Sequence, residues 1–133
     1  MKNIAQKMFK VQGEIEAIKK DATNPYHKSK YFDINGLLKV LKPVLQKNGL
    51  VVVQPPTATT EGNQLKTMII DPESGEFIEG SMMLPSDPNP QKAGSAITYY
   101  RRYALQCMFA LEAEDDDSNS ASGLKPKKQA KKK

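Results

Sequence analysis

The hydrophobic period of this chain changes twice, and those changes dictate the order of its secondary structure. Up to Asn48-Gly49 apolar residues recur every three or four positions, as a helix requires: Ile4, Met8, Val11, Ile15 and Ile18 first, then Ile34, Leu37, Leu38, Leu41 and Leu45. From Leu50 the texture is β-rich, in the runs LVVVQ, LKTMIID and EFIEGSMML, which are separated by PPTATTEGNQ and DPESG. After Asn89-Pro90, a cap residue followed by a first-turn proline, the helical period returns in QKAGSAITYYRRYALQCMFAL. Short connections favour antiparallel pairing. The order predicts an α+β fold: a three-stranded antiparallel β-meander packed against a long C-terminal helix, with two preceding helices.

The first helix is expected over residues 2–20. Its apolar stripe is narrow enough to pack on its own chain or on a neighbouring subunit, with its own chain as the default. Asp33 is a candidate N-cap for the second helix, which should close at Asn48-Gly49, and Pro43 should bend that helix or split off its last turn. The third helix, 90–111, is the element that can cover the sheet. At about 100° per residue, Ala93, Ile97, Tyr100, Ala104, Met108 and Leu111 share the inward face. Ser95, Tyr99, Arg102 and Gln106 share the outward one, with Thr98 at its flank. Arg101 falls at the margin, where it would run along the sheet or pair with a carboxylate.

Length and charge limit what such a chain can do. At 133 residues it supports a single domain, expected over 1–117, and no run reaches the roughly 20 apolar residues of a bilayer span. MKNIAQKMFK lacks a secretory apolar region, so a soluble, intracellular protein is expected. The net charge of +5 is uneven: residues 118–133 hold six lysines and no acid, which leaves 14 basic against 15 acidic groups before them. That tail, SNSASGLKPKKQAKKK, is too poor in apolar residues to repay ordering and is expected to be disordered. It can hold polyanions without reading sequence, or serve only as a solubilising end. Cys107, the one cysteine, falls among apolar positions and reads as a buried structural thiol.

Two segments carry candidate binding chemistry. The outward face of the last helix offers a guanidinium for phosphate, an aromatic plane for a base and small hydroxyls, with no acid among them. Its plain alternative is a solvated face whose arginine pairs with a neighbouring subunit. In Tyr26-His27-Lys28-Ser29-Lys30-Tyr31-Phe32, basic residues alternate with aromatics on an expected loop, a composition that single-strand binders use to grip backbone and stack bases. The alternatives are a mobile basic loop, with Phe32 stapling the following helix.

Catalytic readings find little support. There is no GxxxxGK[ST] phosphate loop for an ATP-driven recombinase, and one histidine with one cysteine cannot build an ordinary zinc cluster. Glu114-Asp115-Asp116-Asp117 could suggest a magnesium nuclease, but consecutive acids rarely converge on one ion, and a linker is the favoured reading. No catalytic residue, metal or cofactor is expected.

NPYHKSKYFDINGLLKVLKPVLQKNGL, the later DPESGEF, and DPNPQKAGSAITYYRRYALQCMFALEAEDDD together resemble the essential recombination function (ERF) family of phage single-strand annealing proteins. The similarity covers roughly residues 20–117, with the motifs in the family's order, and GSAITYYRRYAL followed by the acidic run is the most specific piece. The resemblance implies a protein that binds single-stranded DNA and pairs complementary strands without ATP, as rings or filaments of many copies. It further implies work in phage recombination in the cytoplasm of a bacterial host, with a single-strand-binding protein as a possible partner and no membrane. By position, the loop from Tyr26 to Tyr31 and the segment from Lys92 to Arg102 match family motifs. The nucleic-acid-binding residues expected there are Tyr26, His27, Lys28, Lys30, Tyr31, Lys92, Ser95, Tyr99, Arg101 and Arg102. The runner-up reading is a nucleic-acid-binding accessory or chaperone module without annealing activity.

Overall fold

The structure, a computed structural model, describes residues 1–23 and 33–111. The loop Tyr26–Tyr31, the acidic run and the lysine tail lie outside the described residues. Helices α1 (Lys2–Lys20) and α2 (Ile34–Lys47), strands β1 (Val51–Val53), β2 (Pro56–Thr59), β3 (Gly62–Ile70) and β4 (Phe77–Met83), and helix α3 (Pro90–Met108) follow in that order. This is the expected α+β architecture.

The narrow stripe of α1 packs within its own chain: Ile4, Val11 and Ile15 are buried, and Met8 and Ile18 pack beside them. No side chain of its own caps the start of α1. Glu76, from the β3–β4 turn, does so instead, its Oε1 accepting from the Ile4 backbone N–H at 2.8 Å and its Oε2 from Asn3 Nδ2 at 3.2 Å. In α2 the Asp33 carboxylate accepts from the Gly36 N–H at 2.7 Å, as its cap position predicts.

Helix α2 continues through Pro43 to Lys47 and does not lose its last turn there. Pro43 sits on the exposed side, while Val44 and Leu45 are buried, and their packing offsets the missing backbone bond. The helix ends with Gly49 at φ +71°, the Gly49 N–H bonded to the Gln46 carbonyl and the Leu50 N–H to the Leu45 carbonyl. Those are the paired bonds of a Schellman cap.

The three expected strand lanes are present, and the first is broken in two. β1 and β2 both pair antiparallel with β3, on the side opposite β4. Part of the stretch read as a loop, Pro56–Thr59, is therefore strand. Val53 opposes Met68 and Pro56 opposes Leu65, so the register is the same on both sides of the break; Gln54 and Pro55 lie between the two strands, where the Lys66 N–H still donates to the Pro55 carbonyl at 3.1 Å. Neither Pro55 nor Pro56 has an N–H to donate, which confines them to an edge lane.

Alternation sorts the sheet into two faces. Leu65, Thr67 and Ile69 of β3 are buried on the inner face, with Val52, Ile78 and Met82 half-buried beside them. The outer face leaves Val51, Val53, Phe77 and Met83 exposed. The main core joins Ile69 to buried residues of α1 and α2, to Leu105 of α3 and to Phe109 at that helix's C-cap.

Helix α3 meets this core at its C-terminal end. Ala104, Leu105 and Phe109 are buried, whereas Ala93, Ile97, Tyr100, Met108 and Leu111, expected inward, are only half-buried. The inward stripe thus runs through Leu105 and Phe109, which are four apart. Cys107, two residues from each and so about 200° away, is exposed and not the buried thiol expected. The helix closes with a second Schellman pair, the Ala110 N–H to the Cys107 carbonyl and the Leu111 N–H to the Gln106 carbonyl, with Ala110 at φ +53°. Among the described residues no helix is long and apolar enough to cross a membrane.

Candidate nucleic-acid interface

The site is built on α3, and its start is fixed by local chemistry. Asn89 Oδ1 accepts from the backbone N–H groups of Gln91 and Lys92 at 2.9 and 3.3 Å, and Pro90 takes the first helical position. From Pro90 to Ala110 the chain carries Lys92, Arg101 and Arg102 and no acid, so the helix presents only positive charge.

Residues spaced three and four apart bring the exposed side chains into one ridge. Lys92, Ser95, Thr98 and Tyr99 are exposed, and so is Tyr103; Tyr99 keeps 49 % of its surface accessible and Tyr103 38 %. The Tyr99 and Tyr103 rings are stacked, with centroids 6.0 Å apart and planes at 15°. Tyr100 meets Tyr99 edge-on at 5.3 Å. The Arg102 guanidinium carbon lies 5.6 Å from the Tyr99 ring centroid, within cation–π range. A planar cation and two near-parallel rings thus share one exposed surface.

Beneath the ridge, α3 is tied to the sheet at the break in the first lane. Gln54 Nε2 donates to Thr67 Oγ1 at 2.9 Å and to the backbone carbonyl of Arg101 at 3.1 Å. Gln54 thereby spends its donors on a strand and on the helical turn that carries both arginines. The Arg101 side chain is half-exposed and forms no ion pair with a carboxylate among the described residues, one of the two fates expected for it.

Of the expected binding residues, the structure places Lys92, Ser95, Tyr99 and Arg102 on this ridge, with Arg101 on the adjoining flank. Tyr26, His27, Lys28, Lys30 and Tyr31 lie outside the described residues. Tyr103 was not among the expected residues, although its spacing of four from Tyr99 was the available signal. Arg102 and Gln106, expected to point straight outward, are half-buried, and the exposed line passes through Tyr103 and Cys107.

A second polar cluster is structural. Asp71, with no exposed surface, accepts from Lys7 Nζ at 2.8 Å, from Ser74 Oγ at 2.8 Å and from the Glu73 N–H at 3.2 Å. The Lys7 hydrogen bond is the main cause holding the Asp71 carboxyl below its ordinary range, against an opposing push from burial. Asp71 in turn raises Lys7 above its ordinary value. Glu76 is lowered chiefly by the Ile4 N–H it caps. Among the described residues no group of three His, Cys, Asp or Glu side chains could hold a metal ion.

In comparisons with known proteins, the family model described as "ERF superfamily" matches residues 4–133. No curated protein and no solved structure matches the chain.

Proposed function

The chain belongs to the ERF superfamily, and from that premise we propose that it binds single-stranded DNA and pairs complementary strands without nucleotide hydrolysis, as an annealing protein of phage-type recombination in a bacterial cytoplasm. The observation that carries this reading is the exposed Tyr99–Tyr103 stack with Arg102 against Tyr99, on a helix free of acids. Aromatic planes accept any base by its face, and a guanidinium grips phosphate without regard to sequence. A protein that must accept every sequence needs that kind of contact, which leaves base edges open to test for a partner. It is not an enzyme in this reading, since annealing requires positioning and charge neutralisation but no bond cleavage.

Each protomer offers few contacts, so tight holding of a strand requires many copies in a ring or filament. Such assembly needs apolar surface to bury, and Val51, Val53, Phe77 and Met83 stand exposed on the outer sheet face. A host single-strand-binding protein is the natural source of the strands. Mixing two complementary oligonucleotides with the protein, without nucleotide, tests the proposal: pairing should be faster than in buffer. Binding with no gain in pairing would identify an accessory module, and cleavage in magnesium a nuclease.

A further inference from the structure

Between α3 and the inner sheet face lies a slot of about 200 Å³, lined by Thr67, Gly80, Ser81 and Met82 from the strands and by Ala104, Cys107 and Met108 from the helix. Pockets for whole drug-sized ligands begin at roughly 300 Å³, so this one has room for a single flat ring system. The space arises partly from sequence: a Cβ built on Gly80 meets no atom within 4 Å, and Gly80 stands opposite Thr67 in the β3–β4 ladder.

One hydrogen-bond donor in the slot is unspent. Thr67 is only 2 % exposed, and its Oγ1 accepts from Gln54 Nε2, yet among the described residues its own hydroxyl proton has no acceptor. A buried donor without a partner is costly and marks a place where a ligand or water atom belongs. Met82 and Met108 flank it with polarisable thioethers, which favour contact with aromatic rings. Exposed Cys107 lies four residues beyond Tyr103, itself four beyond Tyr99, so the slot continues the tyrosine line.

We propose that the slot receives one nucleobase of a single strand lying along Tyr99 and Tyr103, its ring between Met82 and Met108 and an edge oxygen or nitrogen accepting the Thr67 proton. This rests on the reading of α3 as the DNA-binding helix and adds a subsite to it. Every base carries at least one edge acceptor, so a single hydroxyl donor does not select sequence. One base held per protomer leaves the rest of the strand open to pairing.

Cys107 is the only cysteine in the chain, which makes it a built-in reporter. Its rate of reaction with a thiol reagent is measured in the full-length protein with and without saturating oligothymidylate, and should fall by about tenfold when a base occupies the slot. In a second arm, an oligonucleotide with regularly spaced abasic sites should bind about tenfold more weakly than the intact one. Gly80→Val, which fills the slot, should discriminate less sharply between the two, keeping only the share that stacking on Tyr99 and Tyr103 supplies. Unchanged Cys107 reactivity at saturation, or a Gly80→Val variant that discriminates intact from abasic strands as sharply as wild type, overturns the slot and leaves the ridge standing; equal wild-type affinity for the two strands overturns base contact at slot and ridge alike. Failure to bind either oligonucleotide at low salt overturns both.

Discussion

Lys7 Nζ lies 2.8 Å from Oδ1 of Asp71, joining the first helix to the turn between the third and fourth strands across 64 positions of sequence. The Asp71 side chain has no exposed surface, while that of Lys7 keeps 23 %. Removal of the lysine would leave a desolvated carboxylate with only Ser74 and a backbone N–H for support.

The pH dependence follows from the direction of each shift. Asp71 and Glu76 are lowered from 3.8 and 4.5, so their stabilisation is complete above those values and is lost as pH falls through the folded ones. Lys7 is raised from 10.5, so its contribution is complete below that value and is lost as pH rises through the folded one. Thermal melts should show Lys7→Met less stable than wild type at neutral pH, with the gap narrowing below about pH 4 as Asp71 takes up a proton. A gap independent of pH would show that the pair is not what anchors the turn.

Gln54→Leu should cost about 1–3 kcal/mol, because it removes both donors and leaves the buried Thr67 hydroxyl without its only described partner. Urea unfolding measures the loss. The tyrosine signal in near-ultraviolet circular dichroism should change as well, since the Gln54 bond ends on the turn bearing the ring stack. A leucine variant as stable as wild type, with an unchanged spectrum, would contradict the anchoring role.

Ala110 holds a positive φ of 53°, the only non-glycine among the described residues to do so. Glycine adopts that conformation without the Cβ clash, so Ala110→Gly should stabilise the protein by about 0.5–1 kcal/mol. Gly49→Ala, at φ +71° in the same kind of cap, should do the reverse. Denaturation midpoints of the two variants should therefore move in opposite directions.

On the ridge, Tyr99→Ala should weaken single-strand binding by about 1–3 kcal/mol, the typical worth of one stacked base. Arg102→Ala should weaken it equally for all sequences and reduce the slope of log affinity against log salt by about one. Neither should lower the melting temperature appreciably, because both side chains lie outside the buried core. Fluorescence anisotropy with labelled oligonucleotides at several salt concentrations, alongside thermal melts, separates binding from folding. Equal damage to both would show that these residues belong to the packing.

Deletion of residues 118–133 removes six lysines and should reduce affinity more at low salt than at high salt. Equal loss at both would argue against an electrostatic role for the tail.

Much of the fold was legible because its signals are local. Asp33 and Asn89 capped the helices they preceded, Asn48-Gly49 closed α2, and DPESG turned β3 into β4, each through bonds within a few residues. Of the two effects expected of Pro43, the loss of the last turn did not occur: the cost of one missing backbone bond is local, whereas the burial of Val44 and Leu45 that offsets it belongs to the common core. The segment around Pro55-Pro56 looked like a loop for a similar reason: an edge lane can tolerate prolines that a central strand cannot, and edge position is a property of the sheet.

The ridge was half legible. Helical spacing placed Ser95 and Tyr99 on one exposed line, and the family resemblance added Lys92, but the inward direction of α3 was displaced by about one residue, which turned Cys107 outward and brought Tyr103 into the stack. Periodicity gives the existence of a face and only roughly its angle, because the final rotation is set by what the helix packs against.

Alone, the sequence determined the order of elements, their caps and turns, the absence of acids along the last helix and the family to which the chain belongs. Tertiary structure alone decided that Glu76 caps a helix more than seventy residues away, that Gln54 reaches the turn bearing the arginines, and that Gly80 and Thr67 frame an open slot. The division has a physical basis: caps, turns and periodicity arise from neighbours along the chain, whereas these three contacts join groups that become neighbours only once the sheet and helices have closed on a common core.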